Sequence, residues 1–61
     1  MYSLICVDHK DCMNRWCYAH LTEISIETRY HDKYPKIYVT LDDGSEDVID
    51  PTVWDCKVVI E

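Results

Sequence analysis

Sixty-one residues, 48% hydrophobic and 30% charged with a formal net charge of −6, describe one small folded domain spanning 1–61 and not a disordered tail. A chain this short buries only roughly 60% of its unfolded surface. That argues against an enzyme with its own enclosed pocket of ~300 Å³ or more, and the sign of the charge disfavours direct contact with nucleic acid.

Tyr2 to Asp8 reads as a strand with apolar residues on both parities, the pattern of a strand covered on both sides. Asp8 or Asp11 can then cap a helix, because a carboxylate satisfies free amides at a helix start. Cys12, Met13, Trp16, Cys17 and Leu21 follow as a single helical stripe. Thr22 to Tyr30 alternates as a half-buried strand, and His31-Asp32-Lys33-Tyr34-Pro35 is the connecting loop. Lys36 to Asp42 alternates again. Asp43-Gly44 predicts a two-residue type I′ hairpin turn, which sets Leu41 opposite Glu46 and Thr40 opposite Asp47. Asp50-Pro51 ends that strand, and Val53 to Ile60 is the last. The expected fold is α+β: a small, strongly curved antiparallel sheet or open Sm/SH3-like barrel in the order β-α-β-β-β-β, with one short helix.

The apolar run Leu4-Ile5-Cys6-Val7 has no base before it and is too short for a secretory signal or a membrane span. Four cysteines without such a signal imply reduced thiols and a cytoplasmic protein. Cys6-x-x-His9 and Cys17-x-x-His20 form two short ligand pairs that a zinc ion could join. A helix between them would separate Cys17 from His9 by about 12 Å, so the favoured expectation is no metal and no other cofactor. The zinc-stabilised module stays open as the alternative. Cys17 and His20 lack an orienting third group for nucleophilic catalysis. Asp42 to Asp47 does not match a calcium loop.

Charge is the strongest functional signal. Residues 1–41 hold five acids and five bases, whereas 42–61 hold Asp42, Asp43, Glu46, Asp47, Asp50, Asp55 and Glu61 against Lys57 alone. A field of one sign selects and steers partners of the other sign. Carboxylates in a row imitate phosphates, so the expected partner is the basic, nucleic-acid-binding surface of another protein. Asp42, Asp43, Glu46, Asp47 and Asp50 supply the charge and Tyr34 and Tyr38 the aromatic anchors. The competing reading gives the acids a role in solubility and edge protection only, in a monomer or a weak homodimer that associates through strand edges.

Cys6-Val7-Asp8 and Cys17-Tyr18-Ala19-His20-Leu21, followed by alternating strand residues, resemble the opening of the small acidic Rof-type inhibitors of the transcription terminator Rho. The resemblance covers about a third of the chain. It implies an Sm-like barrel with a short helix, and binding to the RNA-binding domain of hexameric Rho so that RNA is excluded. Asp8 and Asp11 are the positions it adds as partner contacts. A phage-type inhibitor of a host enzyme fits the same properties.

Overall fold

The computed structural model describes Met1–Glu61 as five strands: β1 (Tyr2–Asp8), β2 (Arg15–Glu27), β3 (Lys36–Leu41), β4 (Glu46–Ile49) and β5 (Trp54–Ile60). They form one open antiparallel sheet in the order β4-β3-β2-β1-β5. There is no helix, so the α+β expectation is overturned and the protein is all-β.

The reason lies in the loop between β1 and β2. Asp8 and Asp11 do not cap a helix. Each carboxylate accepts from the amide two residues on, Lys10 N at 2.8 Å and Met13 N at 3.0 Å. Such side-chain turns compete directly with helix initiation. The Asp8 amide donates to the Asn14 carbonyl at 3.0 Å and the Asn14 amide to the Asp11 carbonyl at 3.0 Å, closing a hairpin. Met13, expected on the apolar stripe, stands 82% exposed at the loop tip. Trp16, Cys17, Tyr18 and Thr22 are strand-favouring types, and β2 runs straight through the expected helix.

Two bulges interrupt β2. Its register against β1 slips between Tyr18 and Leu21, and against β3 between Leu21 and Glu23. His20 takes a left-handed φ of 58° at the first slip. The Glu61 carboxylate holds it there, accepting from the His20 amide at 3.0 Å and lying 3.3 Å from its Nδ1. An extra residue bends a strand and increases its twist.

The β3–β4 turn also departs from expectation. The Gly44 amide donates to the Leu41 carbonyl at 3.0 Å and the Leu41 amide to the Ser45 carbonyl at 2.8 Å. Gly44 alone has positive φ in this turn, 88°, so Asp42 and Asp43 occupy a type I turn closed by a glycine bulge. The loop has three residues, not two, and the register moves by one. Thr40 faces Glu46, Val39 faces Asp47 and Tyr38 faces Val48. A one-residue slip exchanges the two faces, so Asp47 joins the face of Val39 and Glu46 the opposite one.

Strand order places β4 and β5 at opposite edges, ~19 Å apart in a flat sheet at 4.8 Å per strand. The chain nevertheless joins them through Asp50–Val53, a tight turn in which the Val53 and Trp54 amides both donate to the Asp50 carbonyl. The sheet therefore curls, and Ile49 and Trp54 line one hollow. The inner face of the curl carries Leu4, Cys6, Leu21, Ile37, Val39 and Ile49, with Tyr18, Ile24, Leu41, Trp54 and Cys56 packed against them. Seven of 61 residues are buried, so the core is one side chain thick and each member of it matters.

The outer face is mostly wet, and Ile5 on β1 is 37% exposed. The expected double cover of β1 is thus absent. One patch of the outer face is covered by the 28–35 loop. Arg29 lies 3.7 Å over the Tyr38 ring, the Tyr38 hydroxyl donates to Asp32, and Asp32 returns to the Arg29 amide at 3.0 Å.

Candidate functional site

The curl leaves a hollow of about 290 Å³ lined by Cys6, Trp16, Tyr18, Val48, Ile49, Asp50 and Trp54. Pairing explains why these residues meet. Trp16 and Cys56 both face Cys6, and Tyr18 faces Leu4, so β2 sends two aromatic rings onto the inner face. The Trp16 and Tyr18 rings stand edge to face, with centroids 5.8 Å apart and planes at 64°. Trp16 remains 56% exposed, which is unusual for a tryptophan on the core side of a sheet. Cys6 forms the floor, its sulfur 3.6 Å from that of Cys56. Burial first, then the Cys56 sulfur, push the Cys6 thiol up to about 12, so it is protonated and inert at neutral pH.

Two carboxylates border the hollow. Asp50 belongs to its lining. Asp50 accepts from the Tyr34 hydroxyl at 2.6 Å and from the hydroxyl and amide of Thr52 at 2.7 and 2.9 Å. These donors, Tyr34 foremost, bring its carboxyl down to about 2, because hydrogen bonds to the charged form favour it. Asp47 accepts from the Tyr18 hydroxyl at 2.7 Å. Burial, with Asp47 second, pushes that phenol up to about 12. Neither carboxylate lies within ion-pair distance of a lysine or arginine.

The remaining candidate residues are distributed unevenly. Asp42 and Asp43 sit in the β3–β4 turn, where Asp43 accepts from the Ser45 hydroxyl and amide at 2.6 and 2.8 Å and is held below the usual carboxylate range by them. Glu46 is taken out of the group by its face. Arg29 grips it with both guanidinium nitrogens, at 2.7 and 3.0 Å. Tyr38 is 5% exposed beneath Arg29, so it supports the outer face and offers no anchor. Tyr34 is 37% exposed, with Lys36 Nζ 5.1 Å from its ring centroid. Asp8 joins Thr52 and Val53 in a neighbouring hollow of about 250 Å³, and Asp11 is committed to its own loop. Asp55 pairs with His9 at 2.9 Å.

The four residues weighed for zinc are not assembled. Cys6 faces Trp16 whereas Cys17 faces Ile5, which puts the two thiols on opposite sides of the sheet. His9 is held by Asp55 and His20 by Glu61. No group of three or more metal-ligating side chains forms elsewhere.

The helical stripe placed Trp16 toward the core and gave no sign of the hollow that it borders with Trp54. Its signal was legible only as Trp16-x-Tyr18 at strand spacing, which the helical reading concealed. No helix of the chain is long and apolar enough to cross a membrane. No protein-family model, curated protein sequence or solved structure matches this chain.

Proposed function

We propose that this protein is a non-catalytic binding domain that docks its acidic side on a basic, nucleic-acid-binding surface of another protein and so excludes nucleic acid from it. One observation carries this reading: Asp42, Asp43, Asp47 and Asp50 have no lysine or arginine within ion-pair distance, although the chain pairs Glu46 with Arg29. Carboxylates satisfied by hydroxyls and amides keep their charge, and a group of them without ion-pair partners attracts a cationic surface over roughly a Debye length of 8–10 Å. The docking set is therefore Asp42, Asp43, Asp47 and Asp50, without Glu46 and Tyr38. Asp8, adjacent through Thr52, extends it.

A Rho-type RNA-binding domain is the first partner to try, on the resemblance of the N-terminal residues. Labelled RNA bound to that domain, or to basic proteins captured by this chain and released by a salt gradient, reports displacement. The expected result is competition that weakens steeply with salt and drops further in an Asp42→Asn/Asp43→Asn variant. Asparagine keeps the turn contacts to Ser45, so the fold is retained. Displacement that ignores both salt and the double substitution overturns the reading.

A further inference from the structure

Aromatic rings and carboxylates stand together at several places in this chain. Arg29 fills the one at Tyr38, and Lys36 lies 5.1 Å from the ring of Tyr34, whose hydroxyl holds Asp50, whereas the inner hollow has no cation in its lining. On the outer face, Tyr38, Glu46 and Arg29 form a complete set: the guanidinium lies flat 3.7 Å over the ring and is gripped by the carboxylate at 2.7 Å. On the inner face, Trp16, Tyr18 and Trp54 surround a hollow of about 290 Å³ bordered by Asp47 and Asp50, with no lysine or arginine in the lining. We propose that this hollow is a receptor for one arginine side chain of a partner protein, stacked in the Trp16–Tyr18 corner and held by the Asp47 and Asp50 carboxylates.

The chemistry of the hollow favours a planar cation over a neutral apolar group. Six of its seven lining residues are hydrophobic, which would suit an aliphatic occupant, but the charge at its rim would then be desolvated without compensation. A guanidinium answers both requirements, since its faces stack on indole and phenol rings and its edge forks onto carboxylates. Two features raise the attraction. Tyr18 donates its hydroxyl to Asp47, which makes the ring more electron-rich. Trp16 and Tyr18 meet at 64°, so a cation entering the corner meets the face of one ring and remains close to the other. The volume lies at the bottom of the range for small-molecule sites and suits a side chain rather than a whole ligand. A chain with net charge −6 also draws basic segments towards it.

The proposal rests on the anionic-docking reading and names the contact at its centre. It is tested with a blocked tetra-arginine peptide and its citrulline counterpart, which has nearly the same shape without the charge. Calorimetric titration of the intact chain should show saturable binding of the arginine peptide and none, or at least about tenfold weaker binding, of the citrulline peptide. Trp16→Ala should weaken the arginine peptide about 5- to 30-fold, the factor that corresponds to a partly desolvated cation–π contact. Trp16 is more than half exposed, so the variant should fold, and circular dichroism verifies this. A second variant, Trp54→Phe, keeps a ring in place and should lose less. Equal affinity for the two peptides overturns the proposal. So does unchanged affinity in Trp16→Ala when Asp42→Asn/Asp43→Asn weakens binding, a result that leaves acidic docking standing without the hollow. Failure of the arginine peptide to bind at low salt removes both. A dimer in sedimentation that Trp16→Ala dissolves, with no peptide binding, assigns the hollow to a second copy of the chain and overturns the arginine assignment.

Discussion

Gly44 shows how one residue decides which acids can act together. Its φ of 88° closes a three-residue loop, and nothing lies within 4 Å of where a Cβ would stand. The demand is thus conformational and not steric. L-residues in the left-handed region cost roughly 1–2 kcal/mol, less for asparagine. Gly44→Ala should lower stability by about that amount and Gly44→Asn by less, read as a shift in urea midpoint at constant slope. If alanine is fully tolerated, the turn is not the one described. The consequence for the site is larger than the energy. With a two-residue loop, Asp47 would face outward and Glu46 inward, so Asp47 in place of Glu46 would stand opposite Thr40 on the face of Arg29, and the Tyr18 hydroxyl would lose its carboxylate. The glycine bulge instead gives Glu46 to Arg29 and Asp47 to Tyr18.

At the scale of elements, β2 explains both the success and the failure of sequence reading. Strands β3 and β5 are legible because simple alternation holds along them, as in Ile37-x-Val39-x-Leu41, β1 through its unbroken apolar run and β4 through the Asp43-Gly44 turn signal before it. Along β2 the inward residues are Tyr18, Leu21, Ile24 and Ile26, as the pairing shows. The first bulge breaks the alternation between Tyr18 and Leu21, so Trp16, Cys17 and Leu21, one and four residues apart, imitate the stripe of a helix, whereas Ile24 and Ile26 beyond it alternate as a strand does. The same local ambiguity placed the acids Asp8 and Asp11 at a helix start, when their carboxylates were making turns. The acidic bias was fully legible; the pairing of acids with bases was not. Arg29 lies 17 residues from Glu46, and only tertiary structure joins them. Leu21 tests the role of the bulges directly. It is 0% exposed at the point where β1, β2 and β3 meet. Leu21→Ala should cost about 2–5 kcal/mol, most or all of the stability of so small a domain. Retention of a cooperative melt close to that of the parent chain would mean that the bend does not depend on it.

Over the whole molecule, measuring 31 × 29 × 15 Å, a single curled layer has almost no interior in which to bury charge. Stability should therefore follow pH through a few hydrogen-bonded groups. On the acid side, Asp50 titrates at about 2 when folded, against 3.8 for the free side chain. Asp32, held down by the Tyr38 hydroxyl, and Glu46, held down by Arg29, shift the same way. The unfolded chain binds protons first as pH falls, so the stability these groups supply is complete above about 5 and is lost between about 4 and 2. On the alkaline side the sign reverses. Cys6 and Tyr18 titrate near 12 when folded, against 9.0 and 10.0 for the free groups. The unfolded chain releases these protons first, so their contribution is complete below about 9 and is lost as pH climbs towards 12. Thermal melts followed by circular dichroism from pH 2 to 11 should trace a plateau between about 5 and 8 with a fall on each side. Asp50→Asn should make the acid limb shallower, Asp32 and Glu46 carrying the rest, and leave the alkaline one, and Tyr18→Phe should do the opposite, Cys6 carrying the rest. Tyr18→Phe also frees Asp47 from its only hydroxyl donor beside the hollow. An alkaline limb that survives unchanged in Tyr18→Phe would assign it to the Cys6 thiol and to the Tyr38 phenol, which its hydrogen bond to Asp32 also pushes up, and a flat profile above pH 9 would mean that none of these groups is held as described.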